Sequence, residues 1–157
     1  MPARDLPPPA AAPHAVTCTA RIYWEDTDAG GIVYYANYLK FFERARTEWL
    51  RARGLGQRQL REQMGGMFVV SRASANYLRP ARLDDHIAVT IALEQAGTAS
   101  LVIGQQIRLQ ADESADEKMS AADARLLVTG QFHLAWVSAE SMRPERMPPL
   151  LLQRLRG

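Results

Sequence analysis

Asp26 and Asp28 stand two residues apart just ahead of Gly30 and Gly31, and this quartet is the part of the sequence best suited to chemistry. In extended chain the two carboxylates share a face. In a turn they bond to nearby backbone amides and tolerate unusual dihedrals. The glycines permit positive φ and let another molecule approach the main chain closely. Behind them the run YYANYLKFF enters what reads as the first turn of a helix. A carboxylate beside a helix N-terminus suits acyl chemistry, because it can serve as base or nucleophile while free N–H groups hold a developing oxyanion. Taken alone, two aspartates before glycines read as a turn or a cap.

The elements that must position these residues can be read from periodicity. Residues 17–24 are β-branched and aromatic, which predicts a first strand. Tyr38, Phe41, Phe42, Ala45, Trp49 and Ala52 follow the 3, 4, 7 spacing of one buried helical stripe. Charged residues fall elsewhere, with Arg44 and Glu48 placed to pair four apart. Asn37 is a candidate N-cap and Gly54 a C-terminal stop. Residues 55–65 read as a short second helix. Extended runs follow at 67–78, 87–94, 101–109 and 124–137, with turns at Pro80, at 83–85 and at Gly97-Thr98. Leu126, Val128, Phe132, Leu134 and Trp136 should share one face of the last strand. The segment 111–122 is a polar, mostly acidic connection, expected to be an exposed and mobile hairpin tip. LLLQRLRG at the end should dock on the domain.

These elements predict an α+β architecture in which an antiparallel meander of long strands wraps one central helix. With one helix to cover the sheet, an edge or the outer face should be protected by another subunit. The expected division is a disordered Pro/Ala-rich tail at 1–15, the domain at 16–140 and a docking tail at 141–157.

The chain of 157 residues suits one domain with a substantial core. Its 47% hydrophobic and 23% charged residues are ordinary for a globular protein. A formal charge of +2, with Glu interleaved among the arginines, gives no basic patch for nucleic acid. The single Cys18 excludes an internal disulfide and reads as a buried small hydrophobe. No apolar run reaches the ~20 residues of a membrane helix, and the N-terminus lacks a signal-peptide core, so the expected location is cytoplasmic.

Metal chemistry is not expected. D-T-D-A-G-G echoes a calcium loop but fails at its fifth and twelfth positions, where Gly30 and Asn37 stand. His14, His86 and His133 have no ligand spacing. His86 should open a strand, and His133 should be half-buried on a strand face. No G-x-S-x-G elbow is present.

The stretch YWEDTDAGGIVYYANYLKFFERARTEWL, with YLRPARLDD at 77–85 and GTASL at 97–101, resembles the hotdog-fold thioesterases of the 4-hydroxybenzoyl-CoA thioesterase family. It is most similar to the bacterial acyl-CoA thioesterases associated with the Tol-Pal envelope system. The resemblance implies hydrolysis of acyl-CoA without a cofactor. It makes Asp28, the second Asp of D-x-D, the catalytic carboxylate, as nucleophile or general base. It puts the oxyanion donor at the Tyr35 amide and assigns substrate contacts to Gly31, Val33, Thr98 and Ser100. It further implies a homodimer or homotetramer with the site at a subunit interface, and contact with acyl carrier protein is a further expectation. Tyr35 replaces the His of many Tol-Pal-associated members, which leaves acyl preference open. The turn AGTAS lacks the basic residues some relatives carry there, so coenzyme A contacts do not transfer. The alternatives are a hotdog dehydratase or hydratase, disfavoured because the motif holds no histidine, and a non-catalytic acyl-CoA or acyl-carrier-protein binding module of the cell envelope.

Overall fold

The helical stripe is fulfilled by α1, Asn37–Arg51, with Tyr38, Phe41, Phe42, Ala45 and Trp49 buried. The computed structural model describes residues 15–110 and 125–157. The expected N-terminal tail up to residue 14 and the acidic connection at 111–122 lie outside those residues. The remaining elements are β1 (Ala15–Arg21), α2 (Gln57–Met64), β2 (Gly66–Tyr77), β3 (His86–Ala96), β4 (Ser100–Leu109), β5 (Leu126–Ser138) and α3 (Pro149–Arg156).

The five strands form one antiparallel sheet in the order β1-β3-β4-β5-β2. Inward-facing Val89, Ile91, Ile103, Ile107, Val128 and Phe132 close over α1 to make the core. Burying each such side chain contributes about 1.5–3 kcal/mol. α3 closes the far end of the core through Leu151 and Leu155. The α+β expectation of a sheet wrapped round one helix therefore holds.

Several local expectations are corrected. Only β3, β4 and β5 form a meander, and β2 lies on the opposite edge beside β5, with Phe68 packed on Trp136 at 5.1 Å. The first strand ends at Arg21, before a 3-10 turn at Trp24–Asp26. There the Tyr23 amide donates to Asp26 Oδ2 at 2.9 Å while the Asp26 amide donates back to Tyr23 O at 3.1 Å, and the two bonds bend the chain out of the sheet. Asn37 is the first helical residue and not the cap; its side chain donates to Asp26 O at 2.9 Å. Ala52 is exposed. Arg46 and Leu50 complete the buried stripe instead. Glu48 pairs with Arg51, and Arg44 lies 5.5 Å from the Phe41 ring centre.

Arg46 is the unexpected core residue. Its guanidinium donates to Gln105 at 3.0 Å and lies 4.4 Å from the Phe132 ring centre, while Gln105 donates to Phe42 O at 3.1 Å. Burial lowers its pKa, and the nearby Glu43 opposes that shift. A buried cation is tolerated where its donors are engaged and an aromatic face stands in for water.

Candidate active site

Backbone bonds between residues 26 and 34 fold the D-x-D-A-G-G segment into a short hairpin. Tyr34 N–H donates to Asp26 O and Asp28 N–H to Ile32 O, both at 3.0 Å, and Thr27 bridges Val33. Thr27 Oγ1 donates to Trp24 O at 2.8 Å. At the tip, Asp28 Oδ1 accepts the Gly30 N–H at 2.8 Å, and a Cβ at position 30 would stand 3.1 Å from that oxygen. Gly31 has φ +73°, which an L side chain adopts only with strain. The glycines thus hold one carboxylate oxygen of Asp28, and the side chain remains exposed. Asp26 serves the scaffold through both its carboxylate and its carbonyl.

The hairpin feeds directly into α1. Asn37 N–H donates to Tyr34 O and Leu39 N–H to Ala36 O, whereas the Tyr35 and Ala36 amides have no acceptor among the described residues. Such orphan donors at a helix N-terminus carry partial positive charge and favour an anion. The sequence places them seven and eight residues after Asp28, on the other arm of the same turn.

Two clefts flank this turn. Asp28 and Gly31 line one of about 490 Å³ with Trp24, Thr27, Ala29 and Leu83. Val33 and Tyr35 line a smaller one of about 240 Å³ with Ile32, Tyr38 and the segment 77–80. Trp24 is 80% exposed and Tyr35 61%, an unusual display of aromatic surface around one turn. Tyr38 is buried beneath them, and its hydroxyl accepts Ala81 N–H at 2.9 Å. Burial pushes the Tyr38 hydroxyl above the ordinary tyrosine pKa, the Ala81 hydrogen bond opposes this, and Asp85 adds to it. A larger cavity, about 790 Å³, lies at the other end of α1 among Trp49, Arg53, Leu93 and Leu155. Its size alone does not make it the reacting site, because Asp28 and the unpaired Tyr35 amide lie at the opposite end.

Asp28, Gly31, Val33 and Tyr35 therefore cluster on one turn, while Thr98 and Ser100 stand elsewhere. Ser100 pairs with Ala135, which pairs with Val69 on β2; Tyr77 is eight residues further along that strand. At ~3.3 Å per residue this is roughly 26 Å from the Tyr35 cleft within one chain. Tyr38, Tyr77, Leu78 and Pro80 also line the cleft, although the sequence did not mark them as site residues. An aromatic residue closing a long extended run just before Arg-Pro was the available signal for Tyr77. His86 opens β3 and His133 is half-buried on β5, as expected. Cys18 is half-buried against the core, with its thiol pKa raised first by burial, then by Glu48, and lowered by Arg44. No helix among the described residues is long and apolar enough to cross a membrane.

The Haemophilus influenzae acyl-CoA thioesterase YbgC is 44% identical over 87 residues, covering 55% of this chain and 64% of that relative. The Escherichia coli O157:H7 acyl-CoA thioester hydrolase YbgC is 45% identical over the same length and coverage. The match thus spans 64% of the length of these curated relatives. A probable thioesterase from Bartonella henselae superposes with a TM-score of 0.70 at 31% identity, covering 83% of this chain and 97% of that one. A Staphylococcus aureus protein solved in complex with CoA reaches a TM-score of 0.76 at 16% identity, covering 94% and 85%, and shares the fold. These neighbours make the curled sheet and its helix a hotdog fold. Residues 22–155 match the thioesterase-like superfamily, and the chain belongs to it.

Proposed function

We propose that this protein hydrolyses acyl-CoA thioesters to a free acid and coenzyme A. The observation that carries this reading is the Tyr35 amide, which has no acceptor among the described residues, at the opening of α1 on the turn that also holds the Asp28 carboxylate. A thioester carbonyl seated at that amide would be polarised by it and by the helix dipole, and the oxyanion would gain a charge-assisted hydrogen bond as it forms. Asp28 either takes a proton from the attacking water or attacks the carbonyl itself to give a mixed anhydride that water then opens. In both routes one water is consumed, a C–O bond replaces the C–S bond and the thiol leaves with a proton; when water opens the anhydride at the Asp28 carbonyl, its oxygen stays in Asp28 and the acid carries away a former Asp28 oxygen. The relatives named as acyl-CoA thioesterases support the substrate class.

Release of free thiol from a panel of short, long and aromatic acyl-CoAs tests the assignment. Turnover that collapses in Asp28→Asn is the expected result. Ligand binding without any thiol release would replace the enzyme with a binding module. Label found in Asp28 after a single turnover in ¹⁸O-labelled water assigns the anhydride route, opened at the Asp28 carbonyl, because the direct route leaves both Asp28 oxygens untouched.

The further proposals concern assembly and setting. β2 presents an unpaired edge with exposed residues such as Val70, Arg72 and Ser74, which suits antiparallel pairing with a second copy. Such pairing about a centre near position 73 would bring the second copy's Val69 end, and with it Thr98 and Ser100, to the same end of the joint sheet as Tyr77. A homodimer would thereby reunite the proposed substrate contacts, and pairing of dimers would give a tetramer. Cytoplasmic location, association with the Tol-Pal system and contact with acyl carrier protein extend the sequence resemblance to this chain. Light scattering tests the dimer and tetramer, cell fractionation tests the location, and co-purification with envelope proteins or acyl carrier protein tests the other two.

A further inference from the structure

The smaller cleft is walled by tyrosine rings in series. Tyr38 is buried and its hydroxyl accepts the Ala81 amide, which fixes that ring beneath the cleft. Tyr77 lies against it with ring centres 5.8 Å apart. Tyr35 meets Tyr77 edge to face at 5.9 Å and 82°. Ile32, Val33, Leu78 and Pro80 add apolar surface, and Arg79 supplies the one charged side chain of the lining. Tyr77 reaches in from the end of β2 while Tyr35 and Tyr38 come from the opening of α1, so a single ring spans the junction between sheet and helix.

The unpaired Tyr35 amide belongs to the residue whose ring forms the outer part of this wall. A group whose carbonyl sits at that amide has the ring-lined cleft beside it to hold its tail. The volume of about 240 Å³ is below the ~300–1,000 Å³ of sites that enclose drug-sized ligands, so the tail it holds is small. Of the two rings packed on one another at its inner side, Tyr38 is immobilised by burial and by its hydrogen bond. Tyr77 is 46% exposed and is held by ring contacts, so its bulk sets where the cleft ends.

We propose that Tyr77 is the residue that selects acyl groups by size, its ring forming the end wall of the acyl cleft and turning away long straight chains. This rests on the hydrolase reading above. Truncation of Tyr77 leaves Asp28 and the Tyr35 amide in place and opens the cleft along Leu78, so added methylenes find apolar surface. Each methylene newly buried in the transition state is worth about fourfold in kcat/KM.

The test measures kcat/KM by thiol release for acetyl-, butyryl- and octanoyl-CoA with wild type, Tyr77→Ala, Tyr77→Leu and Tyr77→Phe, each with its thermal midpoint recorded. The octanoyl to butyryl ratio should rise about tenfold or more in Tyr77→Ala. It should rise less in Tyr77→Leu and stay at the wild-type value in Tyr77→Phe, because the ring and not the hydroxyl forms the wall. Tyr77→Leu carries the test if the alanine variant fails to fold. An unchanged ratio in the truncations, or an equal fall for all three substrates, overturns the wall while leaving the hydrolase intact. A folded wild type that releases thiol from no acyl-CoA overturns the hydrolase reading and this proposal together.

Discussion

The two ends of α1 are finished in opposite ways. At the C-terminal end Gly54, at φ +68°, donates to Arg51 O at 2.9 Å and Leu55 N–H to Leu50 O at 3.0 Å, the paired bonds of a Schellman motif. Leu50 and Leu55 are buried together, Arg53 lies 4.3 Å from the Trp49 ring centre, and Arg154 of α3 donates to Gly54 O at 3.2 Å. At the N-terminal end no side chain caps the helix, the Tyr35 and Ala36 amides lack acceptors among the described residues, and the surrounding aromatics face solvent. One end spends its hydrogen bonds on the fold, and the other keeps donors free. Chemistry is expected where polar groups are left unpaired, even though the larger cavity lies at the closed end.

The largest expected effect is at the open end. Asp28→Asn should lower kcat by roughly a hundred- to ten-thousand-fold, the range for loss of a positioned acid–base group. Its thermal midpoint should change little, since the amide oxygen still accepts the Gly30 N–H. Trp49→Ala makes the opposite split. Removing a ring that is 5% exposed should cost about 3–5 kcal/mol of stability, read from denaturant midpoints, with kcat of the folded fraction intact. If Asp28→Asn unfolds the chain, or Trp49→Ala abolishes turnover without destabilising it, the contrast between the ends is wrong.

Tyr38 sits at the boundary and sharpens the comparison. Tyr38→Phe leaves the buried Ala81 amide without its acceptor, which should cost about 1–3 kcal/mol. Burial makes the folded-state pKa higher than the unfolded one. The stability this contributes is therefore present below the unfolded tyrosine value of about 10 and is lost as pH rises through the folded value. The gap between wild type and Tyr38→Phe should narrow in alkaline denaturation series, and a constant gap would mean that the hydroxyl is not desolvated.

Much of this was legible because it is local. The α1 stripe, the glycine stops at Gly54 and Gly65, the alternation of β3 and β4 and the docking of α3 all follow from spacing along a few turns. What escaped depends on partners distant in sequence. The place of β2 at an edge is decided by pairing with β5, some sixty residues later, and no residue in β2 announces it. Arg46 reads as a surface cation until Gln105, 59 positions away, meets it in the core. Tyr38 looks like stripe filler until Ala81, 43 positions on, donates to its hydroxyl. The same limit applies to the site. The D-x-D-A-G-G turn is contiguous and could be read directly, whereas Tyr77 joins the cleft only when the end of β2 arrives beside α1.

Arg53 offers the smallest effect and the finest test of what closes the C-terminal end. Its guanidinium stacks on Trp49 and donates to Trp49 O at 3.2 Å, yet Nε is buried with no hydrogen-bond partner among the described residues, and burial lowers its pKa. Arg53→Met keeps an unbranched stem over the indole. It forfeits a cation–π contact of about 0.5–2 kcal/mol and a hydrogen bond of about 1 kcal/mol. It also relieves a buried unsatisfied donor, a penalty of about 1–3 kcal/mol. The terms oppose one another, so stability should change by less than about 1 kcal/mol, a shift of roughly 2–4 °C at most for a chain of this size. A loss beyond about 2 kcal/mol would show that the charge itself seals this end of the helix; a small change would leave the task to Leu50, Leu55 and the left-handed Gly54.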